Sequence, residues 1–368
     1  MKKLAVGVVV ALALGLSACG TPPASTPSNT SDGGASVAPS VTAPAASNYK
    51  ACLVSDTGGF TDKSFNEAAK KGADQAASEL GVQVNAVQSK VDGDYAPNIK
   101  SLLSQSCSLI IGVGYKLTPA IVDAAEANPN VHFAIIDDNP EGKPANLKPI
   151  IFKTSDAGYL AGYAAAGYSK TGKVATFGGM KFGTVTIFMD GFADGVAKYN
   201  ADNNASVQLL GWDKASQNGS FADSFDDQAK GQTLTQQFID QGADVVMPVA
   251  GSVGMGATAL AKQKGIALVW VDQDGYVSVP QFGDVMLTSV MKGIQPAVYN
   301  TIKEEVQKGT FDANPYVGTL ANEGVGIAPW HDFESKLPAG LSDKVDALKA
   351  QVISGAIKVT SDSDPVIG

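Results

Sequence analysis

The sequence predicts an α/β protein of two lobes, each a parallel sheet with helices on both faces, and a ligand cleft between them. Three observations point there. Short apolar strands, turns rich in Gly or Asp, and amphipathic helices alternate along the chain. The alternation runs twice, with the second round starting at Lys173. The body that carries it begins near Asn48 and is roughly 320 residues long, enough for two domains of ordinary size.

The first round opens with a strand over 51–54, ended by Asp56-Thr57-Gly58-Gly59. A helix over 64–80 follows, because Phe65, Ala68, Ala69, Gly72, Ala73, Ala76, Ala77 and Leu80 recur at spacings of three and four and make one buried face. Asp62 or Ser64 is positioned to cap it. Strands are predicted over 82–87, 109–113, 132–136 and 149–152, and helices over 98–105, 119–126 and 157–168. In the second round a strand over 174–177 ends at Gly178-Gly179, and a helix over 188–199 comes next. Strands over 207–211, 245–249 and 267–271 alternate with helices over 227–241 and 254–264. One more strand (286–290), a helix (297–308) and a helical tail within 330–353 complete the reading.

The chain begins with Lys2 and Lys3, an apolar run over 5–16, and then Leu16-Ser17-Ala18-Cys19. This run is too short to cross a bilayer of ~30 Å as a helix and reads as an export signal over 1–18. The Leu-Ser-Ala-Cys ending resembles the lipobox of bacterial lipoproteins, which implies acylation at Cys19; the alternative is an ordinary secretory signal with an incidental cysteine. Residues 19–47 are almost all Thr, Pro, Ser, Ala and Gly, so they have little to bury and are expected to form a disordered tether. With Cys19 acylated, Cys52 and Cys107 are the remaining pair; they meet if their strands are neighbours, and otherwise are two buried thiols. A net charge of −9 argues against nucleic acid or a phospholipid surface as a partner and leaves a neutral ligand open.

A sheet covered on both faces binds ligands at the carboxyl ends of its strands. There the spacing from Asp56 to Phe65 equals that from Gly179 to Phe188, which puts one aromatic on the first turn of each lobe's opening helix. The alternative is that both rings are core. Carboxylates also gather at strand ends: Asp56, Asp137, Asp138, Asp272 and Asp274, with Lys292 as the nearby cation. Such a set would accept from hydroxyl and amino groups. Catalysis has little support: the only histidines, His132 and His331, lie in no motif. Neither a nucleophile elbow, a P-loop nor a Cys/His metal spacing occurs, and Gly251 to Gly256 has the wrong order for a dinucleotide fingerprint. No enzyme, cofactor or metal is expected.

Asp56-Thr57-Gly58-Gly59 with Asp62-Lys63-Ser64-Phe65-Asn66 resembles the opening motif of the basic membrane protein family, the lipoprotein nucleoside-binding subunits of ABC importers. The resemblance continues in order through Ile135-Ile136-Asp137, Gly178-Gly179-Met180, Asp190-Gly191-Phe192, Val249-Ala250-Gly251, Val271-Asp272-Gln273-Asp274 and Lys292. It implies a type I periplasmic-binding-protein fold, two Rossmann-like lobes joined by three crossovers, enclosing a purine nucleoside. Carried over, Asp56, Asn66 and Asp137 address the base, Phe65 stacks on it with Phe188 or Phe221 opposing, and Asp272 and Lys292 hold the ribose beside Gly251. The expected lobes are 48–170 plus 284–310 and 171–283 plus 311–368, hinged near 169–172, 281–284 and 309–316. The implied protein is a monomer, lipid-anchored through Cys19 on the outer face of the cytoplasmic membrane, with an ABC permease and ATPase as partners. The rival readings are a binder of a pentose or other small neutral ligand, and a lipoprotein that senses its ligand.

Overall fold

Strands form where short apolar runs lie between turns that begin with Gly, Ser or Asp. The computed structural model describes residues 48–365, so the leader, Cys19 and the tether lie outside the described residues. The first lobe starts with β1 (Lys50–Ser55), α1 (Phe65–Leu80), β2 (Gln83–Val87), α2 (Tyr95–Ser104), β3 (Leu109–Val113), α3 (Thr118–Ala127), β4 (His132–Ile136) and β5 (Leu147–Phe152). The second lobe takes over with α4 (Thr154–Tyr168), β6 (Lys173–Gly178), α5 (Gly183–Asn203) and β7 (Gln208–Leu210). A small hairpin of β8 (Trp212–Asp213) and β9 (Asn218–Gly219) leads to α6 (Gln228–Asp240), β10 (Val245–Val249) and α7 (Val253–Lys264). β11 (Ala267–Asp272), the single turn α8 (Gly275–Ser278) and β12 (Met286–Lys292) follow. The chain returns to the first lobe for α9 (Ile294–Lys308) and β13 (Tyr316–Gly318), then to the second for β14 (Val325–Ile327) and α10 (Leu341–Ile353).

The first sheet has the order β13-β5-β4-β3-β1-β2 and is parallel throughout. The second has the order β14-β12-β11-β10-β6-β7, with β14 alone antiparallel at its edge. β3 and β10 are buried along their whole length, as strands covered by helices on both faces must be. β1 and β3 are neighbours, and Cys52 is disulfide-bonded to Cys107 at a Cα separation of 6.0 Å. No helix among the described residues is long and apolar enough to cross a membrane.

The lobes divide at other places than the sequence suggests. Residues 153–170 and 284–293 belong with the second lobe, and 311–318 with the first: α4 packs on α5, β12 pairs with β11, and β13 pairs with β5. Glycines explain the first case. A Cβ at Gly162 would lie 2.1 Å from the Phe192 carbonyl, one at Gly191 2.1 Å from that of Ser155, and one at Gly195 2.1 Å from that of Tyr159. α4 and α5 therefore touch backbone to backbone, a fit that an Ala/Gly-rich periodicity cannot assign to one sheet or the other.

The crossovers fall at Lys153, at Gly293 and at 319–324, away from the expected hinges. They are bound to one another: the Lys153 amide donates to the Gly318 carbonyl at 2.8 Å, and the Gly293 amide to the Gly324 carbonyl at 2.8 Å. A Cβ at Gly324 would sit 2.3 Å from the Gly318 Cα. Replacing Gly162 or Gly191 by Ala should lower stability by about 1–3 kcal/mol or more, because the atom in the way is backbone and has no rotamer to change. Urea titration of these variants beside Gly93→Ala, where a Cβ meets nothing within 4 Å, measures the difference.

Candidate ligand-binding site

The carboxyl ends of the two sheets meet across a cleft of ≈ 770 Å³, counted out to solvent at its mouth. The first lobe lines it with Asp56, Asp62, Phe65 and Asn66 from the β1–α1 segment, Tyr115 after β3, and Asp137 after β4. The second contributes Met180 and Phe182 before α5, Phe188 within it, Phe225, Gly251 after β10, Asp272 ending β11, and Lys292 ending β12. Of the ligand residues expected from sequence, Asp56, Phe65, Asn66, Asp137, Phe188, Gly251, Asp272 and Lys292 therefore line one cavity.

At one end the α1 N-terminus builds a network of acceptors. Asp62 caps the helix, its carboxylate accepting from the backbone amides of Ser64 (3.1 Å), Asn66 (2.8 Å) and Glu67 (3.0 Å). The Asn66 amide nitrogen donates to Asp56 at 2.8 Å and to Asp62 at 3.1 Å, and Asp56 also accepts from the Gly58 amide at 2.8 Å. This fixes which way the Asn66 amide faces, and leaves its oxygen buried with no partner. Burial pushes the Asp56 carboxyl up to about 6, against the Gly58 and Asn66 hydrogen bonds that favour the charged form, and raises Asp62 as well.

The other end holds the buried cation. The Lys292 ammonium is 2.5 Å from the Asp137 carboxylate and lies over three rings, Phe65 (5.0 Å to the centroid), Phe152 (5.5 Å) and Phe188 (5.5 Å). Burial still raises the Asp137 carboxyl above the usual carboxylate range, with Lys292 opposing. Asp272 accepts from the Ser64 hydroxyl across the cleft, and burial lifts its carboxyl to about 6 despite the nearby Lys292. Asp137 and Asp272 both have left-handed backbone, at φ 73° and 67°, the conformation that turns each carboxylate off its strand end.

The aromatics need two corrections. α5 begins at Gly183, so Phe188 stands beyond the first turn and is 2 % exposed; Phe182 is the residue that precedes the helix. The equal spacing misled because the segment 179–182 is shorter than its counterpart 56–64. Phe221 lies outside the cleft: its ring packs on Gly178 and edge-on against Trp212 at 6.0 Å. Phe225 lines the cleft instead, 6.0 Å from Phe182. Tyr115 of the first lobe meets Phe182 of the second edge-on at 5.1 Å and 71°. Tyr115, Phe182 and Phe225 were not read from the sequence; the Phe182-Gly183 step after a glycine strand end was the available signal.

Four carboxyl groups, with Asp62 and Asp272 buried and Asp56 and Asp137 partly so, face one buried ammonium, so the cleft offers acceptors to a ligand rich in N–H and O–H groups and opposes an anion. Among the described residues no group of His, Cys, Asp and Glu is arranged to hold a metal ion. Asp56 and Asp272 titrate near 6 in the fold and at about 3.9 in an unfolded chain. Between those values the folded state keeps protons that the unfolded state has lost, so stability falls as pH rises from about 4 to about 6. Asp272→Asn should therefore raise ligand-free stability at pH 7 by about 2–3 kcal/mol, with a higher melting temperature, and the gain should shrink toward zero near pH 4. Thermal melts across that range test the sign.

Residues 50–362 match the family described as ABC transporter substrate-binding protein PnrA-like. The CD4+ T-cell-stimulating antigen of Listeria innocua is 30% identical over 331 residues, covering 85% of this chain and 88% of the relative. The ABC transporter nucleoside-binding protein BmpA of Lactococcus lactis is 31% identical over 333 residues, covering 85% and 90%. An ABC transporter solute-binding protein of Aeropyrum pernix, 24% identical, superposes with a TM-score of 0.76 over 85% of this chain and 94% of its own, and shows the same fold. That fold is the type I periplasmic-binding-protein arrangement, and proteins of this family and fold bind solutes and are not enzymes. The chain belongs to the PnrA-like, or basic membrane protein, family and is an ABC transporter substrate-binding protein.

Proposed function

We propose that this protein captures a purine nucleoside outside the cytoplasm and delivers it to an ABC permease with its ATPase. The observation that carries the reading is the polarity of the cleft: acceptors at both ends, aromatic walls between, and two cations, Lys292 and Lys116, each already held by a carboxylate. A nucleoside has the matching pattern, with N–H donors on the base, a flat apolar middle and a cis-diol on the ribose. Asp56 and the unpartnered oxygen of Asn66 would take the base, which stacks on Phe65 with Phe188 and Phe225 opposite. Asp272 would accept from the ribose hydroxyls, with Lys292 donating to the sugar and the Gly251 backbone alongside. Asp137, paired with Lys292, would also address the base. The name of the Lactococcus lactis relative supports the ligand class. The leader and Cys19 support a lipid anchor on the outer face of the cytoplasmic membrane.

Calorimetry should show binding of inosine, guanosine or adenosine, and much weaker binding of a 5′-monophosphate, which would bury its charges among carboxylates. Ribose binding as tightly as any nucleoside would overturn the proposal and favour a sugar. Asp272→Ala should cost ribonucleosides about 5- to 150-fold in affinity, and 2′,3′-dideoxy analogues much less. Equal losses for both would remove Asp272 from the ribose site.

A further inference from the structure

At the end of β11 two consecutive side chains leave in different directions. Asp272 lines the cleft, whereas Gln273 reaches over to the first lobe. The Gln273 backbone amide donates to the Val271 carbonyl at 2.8 Å, closing a three-residue turn around Asp272 at φ 67°. Such a turn is strained at a residue other than Gly and persists where its surroundings hold it. Here residues on both sides of the turn are held from the other lobe. The Gln273 side-chain nitrogen donates to the Ser64 carbonyl at 2.8 Å, and its oxygen accepts from the Lys71 ammonium at 2.7 Å. The Trp270 indole donates to the Lys63 carbonyl at 3.4 Å, and the Ser64 hydroxyl to Asp272. Lys71 is preset by Glu67, one turn earlier on α1, at 2.9 Å.

We propose that Gln273, clamped between the Ser64 carbonyl and Lys71, is a closing latch that sets ligand affinity without touching ligand. Neither Gln273 nor Lys71 lines the cleft. Both halves of the Gln273 amide are used, so only one orientation closes the clamp. The latch joins the lobes through contacts that need no ligand, and so raises the closed fraction of the protein. Because the closed form is the one that contacts ligand from both lobes, apparent affinity rises with that fraction. The turn at Asp272 ties the two events together: a ligand that draws on Asp272 holds the same turn that aims Gln273 at Ser64.

The affinity arm of the test rests on the nucleoside reading; the shape arm does not. Small-angle scattering of the ligand-free protein should give a larger radius of gyration for Gln273→Ala than for the wild type. Lys71→Met should move it the same way by less, since one bond of the pair survives. Affinity for inosine should fall about 3- to 10-fold in Gln273→Ala, carried by faster dissociation. An unchanged radius in both variants overturns the latch, as does a larger radius with unaltered inosine affinity. If the wild type binds no nucleoside at all, the nucleoside reading fails and the radius alone decides the latch.

Discussion

The site depends on one buried ammonium. Lys292 ends β12, one residue before the crossover at Gly293, and Asp137 follows β4 in the other lobe, so their ion pair joins the lobes beside the hinge. A buried charge stripped of its partner costs several kcal/mol, and here the loss would be compounded. Asp56, Asp62 and Asp272 would be left with no buried cation near them, Lys116 at the wall being held by Asp92, and three aromatic rings would surround a void or an unpaired group. The rings and the carboxylate hold Lys292 in one position. That position in turn lets acidic groups crowd a cleft that would otherwise repel them apart.

The fold supplies this arrangement through close backbone contacts. α4 and α5 meet at Gly162, Gly191 and Gly195, and α1 meets α9 at Gly72, where a Cβ would lie 2.4 Å from the Gln295 carbonyl. These contacts anchor the helices that carry Phe188 and Phe65. The hydrogen-bonded crossovers then set how the two sheets face each other. The cost of the site is visible in its carboxyl groups: Asp56 and Asp272 are buried at the expense of their charged forms, and Asp137 and Asp272 have left-handed backbone. Stability is given up at the cleft, where candidate acceptors and strained turns gather, the usual location of such conflicts.

Much of the site was legible because its residues stand beside local punctuation. Asp56, Phe65 and Asn66 follow a strand that ends in Asp-Thr-Gly-Gly, and Asp137, Asp272 and Lys292 each close or follow an apolar run. The opposite wall was less legible. Phe188 does not occupy the first turn that its spacing suggests, and Phe221 points away from the cleft while Phe225 lines it, because the segment after the hairpin of β8 and β9 carries no periodicity to fix where its rings point. Asp62 and Ser64 were equivalent caps by sequence. Only the packing of the second lobe shows Asp62 taking the helix amides while Ser64 turns its hydroxyl to Asp272.

By itself the sequence determined the two-lobed α/β class, the strands, and the acidic strand ends, since alternation and turn chemistry are properties of a few neighbouring residues. Tertiary structure decided which lobe takes α4, β12 and β13, which aromatics wall the cleft, and that Gln273 reaches the first lobe. Those outcomes rest on contacts between distant positions, such as Ser64 with Asp272, 208 residues apart in the chain. Local pattern has no reach over that distance; close packing of glycine-bearing helices and the pairing of buried charges do.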